Sequence, residues 1–312
     1  MMISTAWWRD FHYEDGVMHV KKTGAEVPVE PGVVGETLNW MVFHARVEVE
    51  RRRIRRDGPR IWFAPDRPRP WYLIWPVVQL AGFRQAYSPE EADLGFFFED
   101  LTESTPPLAP SGLPLINADC PDVSKSAVGR VFQQVTGRAL KVDPTRWDGP
   151  MVGKSERNGA HDGRIESGPR AGDGLTWQRL VDNTAPDGCV EDLRCPTVGG
   201  EIDVVYLKRR PLEKRFENHN SEVRLLNAAD AFSDQERDMI RRFCAAMKLE
   251  WGGLDVLRDR RDGALWIVDV NKTDMGPPIA LSISDKLDST RRLGTMLRRH
   301  AERIIAGSLT NA

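Results

Sequence analysis

The run Gly253-Leu-Asp255-Val-Leu-Arg-Asp-Arg-Arg261-Asp262-Gly263-Ala-Leu-Trp-Ile-Val-Asp269-Val-Asn271 gathers acids and an amide in a pattern suited to a cation. Two strand-like stretches flank Arg261-Asp262-Gly263, a three-residue loop with glycine in the left-handed position. That loop sets Asp255 opposite Asp269, and the period-two alternation of a strand puts Asn271 on the same face. Like charges placed opposite each other destabilise a sheet, so the pair predicts a compensating cation. Two carboxylates and one amide oxygen suit Mg²⁺, which fills the rest of its octahedron with water and phosphate oxygens. The hairpin therefore predicts a Mg-nucleotide site, against the alternative that Asp269 and Asn271 only end a strand in a turn.

Upstream, Met151-Val-Gly-Lys154-Ser155 leads into a loop holding Gly159, His161 and Gly163. A compact ammonium at a strand end, followed by glycines that let backbone N–H groups approach an anion, suits phosphate. A plain surface loop fits the same residues, and Walker A spacing is absent. His161, with an ordinary pKa near neutrality, is a candidate general base, a loop-gating role being the alternative. Between 191 and 215 the chain reads as a hairpin turning at Gly199-Gly200 and rich in arginine. Guanidinium forks bind carboxylates and phosphates bidentately, although any single arginine is as readily a surface residue.

The order of capped helix, Gly-Leu-Asp-Val, Asp-Gly turn and Ile-Val-Asp-Val-Asn resembles the metal-binding end of the ATP-grasp superfamily. The series Asp192-Leu-Arg194, Val198-Gly199-Gly200, Lys208-Arg209-Arg210 and Arg215-Phe-Glu-Asn218 is similar to that of its RimK and glutathione-synthetase type ligases. The resemblance covers roughly residues 115–290. It implies an α+β chain, with an α/β pre-grasp domain followed by an ATP-grasp fold whose two α+β subdomains clasp a nucleotide. The cofactors it implies are ATP and two Mg²⁺ ions, with Asp255, Asp269 and Asn271 as metal ligands. Lys141 and Lys154 become phosphate lysines, Ser155 to Gly163 with Gly159 a lid, and Lys208 a nucleotide contact. Gln178, Leu180 and Val181 lie on the strand that carries the base, and Asp182 is placed at the ribose. Arg194, Arg210 and Arg215 are implied substrate or transition-state contacts, and Lys272 and Thr273 are set beside the phosphates.

The activity so implied is an ADP-forming ligase that joins a carboxylate to an amine or thiol through an acyl phosphate. Alternatives are an ATP-grasp kinase acting on a hydroxyl substrate and a non-catalytic nucleotide-binding adaptor. The sequence departs from the family pattern in carrying His161 in the lid and in lacking the Gly-Gly that often follows the arginine–asparagine segment.

Composition bounds these readings. At 312 residues, 40% hydrophobic and 29% charged, the chain has enough apolar residues for a large core. Lys+Arg 44 against Asp+Glu 46 removes the basic excess of a general nucleic-acid binder, local basic patches remaining open, and the partners that the resemblance implies are a small-molecule carboxylate and amine. No apolar run approaches a membrane span, and Cys120, Cys189, Cys195 and Cys244 form no CxxC pair, which predicts a reducing, cytoplasmic setting. Peripheral membrane contact through a basic helix and oligomer formation stay open. Of ten tryptophans, Trp7, Trp8, Trp40, Trp71 and Trp75 are among those that crowd the first quarter, to pack a core or meet a partner.

The elements that must position the site follow from periodicity. Residues 1–57 read as an extension, with a hairpin at Asp15-Gly16 and a helix over 35–56 ending in Arg51, Arg52, Arg53, Arg55 and Arg56. Residues 58–114 form a small α/β unit, with strands at 61–64, 83–87 and 94–98, a helix over 70–80 and a proline-rich linker from 101. The grasp domain takes 115–312, with a helix over 124–136 stopped by Gly137 and another opened by the capping box Ser233/Glu236 and closed by Gly252-Gly253.

Overall fold

The computed structural model describes residues 11–20, 25–28, 31–110, 112–160, 162–217 and 220–310, and the chain is α+β. In the extension, β1 (Phe11–Glu14) and β2 (Val17–Val20) turn at Asp15 and Gly16, both at positive φ, and β3 (Ala25–Pro28) pairs with β2. Asp and Gly tolerate that left-handed geometry, which matches the twist of the flanking strands. Helix α1 (Pro31–Arg51) stops earlier than expected, so Arg52, Arg53, Arg55 and Arg56 lie beyond it. Arg51 and Arg52 reach back to Glu48. Trp40 and Trp75 pack on the ring of His44, and Trp71 packs on Phe11, so these tryptophans serve packing. Trp7 and Trp8 lie outside the described residues.

The next unit is a parallel sheet in the order β5-β4-β6-β7, from β4 (Arg60–Pro65), β5 (Arg84–Gln85), β6 (Leu94–Phe98) and β7 (Leu115–Ile116). Its central strands are continuous apolar runs, as parallel strands covered on both faces require. The helix expected over 70–80 begins later, as α2 (Ile74–Leu80), with Pro76 in its first turn where a missing N–H costs nothing. The sheet continues past the expected boundary at 114 to β7. Its core is shared: Ile61, Phe63 and Phe96 pack with Val198, Val204 and Trp251, and with Leu293 and Leu297 of α6 (Ile283–Thr310). Asn117, at φ 63°, joins the two parts, its Oδ1 accepting the N–H groups of Glu250 and Trp251 at 3.0 Å each.

Two antiparallel sheets follow. The smaller, in the order β10-β8-β9, is built from β8 (Gly149–Lys154), β9 (Arg164–Gly168) and β10 (Thr176–Arg179). Its own core is Val142, Met151 and Trp177. The larger, in the order β13-β12-β11-β14-β15, comprises β11 (Cys189–Val198), β12 (Val204–Pro211), β13 (Glu222–Asn227), β14 (Trp251–Arg258) and β15 (Leu265–Asn271). Helices α3 (Lys125–Thr136) and α5 (Asp234–Met247) cover it through Phe132, Ile240, Phe243 and Trp266, and α4 (Ala228–Ala231) links β13 to α5.

The capping box forms, with the Ser233 and Glu236 side chains each accepting the other's backbone N–H. However, α5 ends at Met247, and Gly252 and Gly253 sit inside β14 instead of closing it. Their smallness serves close approach: a Cβ at Gly252 would stand 2.8 Å from the Asn271 carbonyl, and one at Gly253 2.3 Å from Asp274 Oδ2. Among the described residues, no helix is long and apolar enough to cross a membrane.

Candidate active site

A cavity opens between the two antiparallel sheets. The small sheet contributes Val152, Lys154, Gln178 and Arg179, and the large sheet Asp192, Lys208, Arg210, Asp255, Leu257, Val268 and Asp269. Lys125 enters from the first turn of α3, while Arg157, Gly159, Ala160, Asp162 and Gly163 cover it from the loop after β8.

The register of the β14–β15 hairpin decides where the acids go. Near the turn, Arg258 faces Leu265, one residue away from the spacing expected of a three-residue loop. Val268 is then left without a partner, and past this bulge Asp255 faces Asp269 while Gly253 faces Asn271. Asp269 Oδ1 is 3.1 Å from Lys125 Nζ, and Asp255 Oδ1 is 3.0 Å from Arg194 Nη1 and 3.9 Å from Lys208 Nζ. Despite these charges, neither Oδ1 makes a well-directed hydrogen bond among the described residues, and both are buried. Burial alone would raise the pKa of Asp255, but Arg194 and Lys208 outweigh it and hold the carboxyl well below its ordinary range. Burial lowers the pKa of Lys154, opposed by Asp269.

Beneath the acids, Arg194 is not the free substrate arginine expected from the motif. Its Nε lies 3.2 Å from each Asp274 oxygen, Nη2 donates to Asp274 Oδ1 at 2.5 Å, and Nη1 faces Asp255. It is buried, does not line the cavity, and fixes the position of Asp255. Arg210 is similarly engaged: Nη2 donates to Asp192, Nη1 to Asn220 Oδ1 at 2.7 Å and Nε to the Arg215 carbonyl at 2.9 Å. Arg215 lines the cavity and uses Nη2 on Asn183 Oδ1, at 2.7 Å. Burial lowers the pKa of both Arg210 and Arg215, yet arginine stays charged.

At the end of β10, Gln178 is 2% exposed and its Nε2 has no hydrogen-bond partner among the described residues. The Leu180 N–H reaches the Pro150 carbonyl at 3.4 Å, whereas the Leu180 C=O and Val181 N–H make no hydrogen bond among the described residues. A free backbone acceptor and donor at one cavity edge match the edge of a heterocyclic base. Asp182 is turned away, its carboxylate accepting the Thr184 N–H at 3.2 Å, and Asn183 lines the wall instead.

Three further expectations are corrected. Lys141 is exposed and does not line the cavity: its backbone bridges to Gln178, and its Nζ donates to Ser126 Oγ at 3.3 Å. Lys272 and Thr273 are not beside the cavity: Lys272 Nζ donates to Ser104 Oγ at 2.7 Å, and Thr273 Oγ1 to Asp100 Oδ1 at 2.6 Å, tying the strand end to the linker. Ser155 is held by its backbone, donating to Asp162 Oδ1 at 3.3 Å, and does not line the cavity. His161 lies outside the described residues.

Sequence reasoning missed Lys125 and Asp274. A lysine in the first helical turn opposes the macrodipole, which favours acids there, and that anomaly was the readable signal for Lys125. Asp274 had none, since its partner lies 80 residues away.

The donor set admits a hard divalent cation at Asp255 and Asp269, whose buried Oδ1 atoms face Arg194 and Lys125 without a well-directed hydrogen bond among the described residues. Asn271 is already engaged, its Oδ1 accepting the Thr273 N–H at 2.9 Å and the Thr273 hydroxyl at 3.1 Å. It joins a cation only by giving up one of these bonds.

Solved structures similar to this chain include ATP-grasp ligases. The D-alanine–D-alanine ligase from Bacillus anthracis complexed with ATP is 10% identical, covering 80% of this chain and 99% of that one at a TM-score of 0.48. The ATP-grasp ligase PsnB complexed with its minimal precursor is 11% identical, over 77% of this chain and 99% of that one, at 0.48. A RimK domain ATP-grasp protein from Sphaerobacter thermophilus is 12% identical, over 78% and 99%, at 0.47. In PsnB bound to a phosphomimetic precursor variant with Mg and ADP, the match spans 62% of that chain. No family model and no curated protein matches the chain.

Proposed function

We propose that this chain is an ADP-forming ligase of the ATP-grasp type, using ATP and Mg²⁺ to join a carboxylate to an amine or thiol through an acyl phosphate. The observation that carries the reading is the facing pair Asp255 and Asp269, whose buried Oδ1 atoms make no well-directed hydrogen bond among the described residues, in one cavity with Lys125, Lys154 and Lys208. Acids with room for a cation beside three ammonium groups suit a Mg-polyphosphate better than either ion alone.

In this reading Lys125, Lys154 and Lys208 bind phosphate oxygens, and Leu180 C=O, Val181 N–H and the Gln178 amide hold the base. Asp255 and Asp269 would hold Mg²⁺, which when bound neutralises charge on the transferring phosphoryl group. Arg215 is placed to clamp the substrate carboxylate or its acyl phosphate, while Asp192 and Asn183 orient it together with Arg210. Rate enhancement then comes from positioning and fixed charges, and no protein nucleophile is required. A small-molecule carboxylate and amine, and a cytoplasmic setting with four free cysteines, go with this reading.

The test is product analysis with MgATP and panels of carboxylates and amines. ADP and free phosphate should appear together only when both substrates are present, and Asp255→Asn with Asp269→Asn should abolish them. Phosphate left on a hydroxyl product would mark a kinase instead. Wild-type turnover by the double variant would remove the basis of the reading.

A further inference from the structure

One side chain fastens the cover of the cavity to α3. The Glu156 carboxylate accepts the Ser126 N–H at 3.0 Å, the Ser126 hydroxyl at 2.5 Å and the Thr176 hydroxyl. Ser126 is in the first turn of α3, where backbone N–H groups lack intrahelical partners and the helix dipole favours an anion. The N-cap Ser124 satisfies the Ala127 N–H at 3.2 Å, and Glu156 satisfies the neighbouring one. Lys141, displaced from the cavity, donates to the same Ser126 hydroxyl and favours the ionised Glu156.

The two residues after Glu156 are also tied down. Asn158 N–H donates to Thr102 Oγ1 at 2.8 Å, and the Arg157 carbonyl accepts from Lys125 Nζ at 3.3 Å. Lys125 therefore bridges the covering segment above and Asp269 below, and it occupies the same helical turn that Glu156 caps. Exposed Arg157 lines the cavity from this segment.

We propose that Glu156 is a positioning residue for phosphate binding: its carboxylate fills the N-terminus of α3, pins residues 155–160 there, and so sets Lys125 between the Arg157 carbonyl and Asp269. The pinning stands on its own geometry, whereas its consequence for phosphate rests on the nucleotide reading above. An intramolecular carboxylate at this N-terminus also keeps phosphate oxygens from binding there instead of at Lys125 and Lys154.

Trypsin tests the pinning in the ligand-free full chain, since the Arg157–Asn158 bond lies within the segment. Glu156→Gln should be cut there roughly tenfold faster than wild type, the loss expected when a charge-assisted hydrogen bond becomes a neutral one. Ser126→Ala, which keeps the helix start, should accelerate the same cut by a smaller factor, and Glu156→Asp should recover part of the protection. Unchanged cleavage at Arg157, or equal acceleration at every tryptic site in both Glu156→Gln and Ser126→Ala, would overturn the proposal. Calorimetry with Mg²⁺ and the β,γ-imido analogue of ATP, with turnover kinetics, tests the consequence. Glu156→Gln should raise the KM for ATP severalfold with little change in kcat, whereas mere loss of folded protein lowers kcat at constant KM. A wild type that bound no nucleotide would sink the functional reading, and the trypsin result would still decide on Glu156.

Discussion

The five-stranded and three-stranded sheets face each other across one cavity but are held by different forces. The larger sheet rests on an apolar core that includes Phe132, Ile240, Phe243, Leu254 and Trp266, and its acids are anchored by the buried Arg194–Asp274 pair. The smaller has Val142, Met151 and Trp177 as its buried core, and its covering loop is attached by polar contacts at Glu156 and Asn158. Segments with few buried apolar contacts and partly solvated hydrogen bonds open at lower free energy than a packed core. In the nucleotide reading proposed above, the difference divides the labour: one wall holds charge in place, and the other carries the segment that opens at lower cost.

The largest effect that would sharpen this contrast is Asp274→Ala. Removing it breaks the buried pair and leaves Arg194 with the partly exposed Asp255, so the cost should approach the roughly 3–5 kcal/mol of a buried charge left wholly unpaired. A fall in the urea midpoint at unchanged m-value is the expected result. Asp255→Ala should cost less stability because Arg194 keeps Asp274, so equal losses in the two variants would refute a floor built on the deeper pair. Next in size is Lys125→Ala, which removes the cation touching both walls. It should weaken MgATP binding by about 10–100-fold, the worth of one charge-assisted contact, whereas exposed Lys141→Ala should change it less than about threefold. Calorimetry on the two variants separates these outcomes, and a reversal would return Lys141 to the phosphates.

What the sequence disclosed about the two walls also differs. The floor was legible because its signals are local: a capping box, alternating strands, and a glycine turn that placed Asp255 against Asp269. Even the one-residue error at the turn left that pair intact, because the bulge at Val268 absorbs it. The hidden parts depend on long-range pairing. Gly252 and Gly253 read as a helix stop, yet they are small because the Asn271 carbonyl and the Arg194–Asp274 pair press against them. Arg194 and Arg210 carried the right chemistry for a substrate, but which arginine spends its donors on internal acids is settled only by neighbours distant in sequence. The extension was legible as hairpin and helix, while the shared core that binds the parallel sheet to α6 was not.

The smallest expected effect is a difference in acid sensitivity between the two walls. Glu156 has a folded pKa below its ordinary 4.5: burial would raise it, but the Ser126 and Thr176 hydrogen bonds prevail. Such a group adds stability that is full above the unfolded pKa and is lost as pH falls through the lower folded value. Asp255 follows the same sign from an ordinary 3.8, and Arg194 and Lys208 hold it far lower. Acidification from neutrality should therefore protonate Glu156 while Asp255 is still ionised, releasing the cover before the floor. Hydrogen exchange of ligand-free protein, corrected for the intrinsic rate at each pH, should show residues 155–160 losing protection by about tenfold or less as the pH falls below the ordinary 4.5 of Glu156. Residues 253–258 should keep theirs at that pH. Loss of protection in both segments together would mean that the walls open as one unit, and the contrast drawn from their packing would fail.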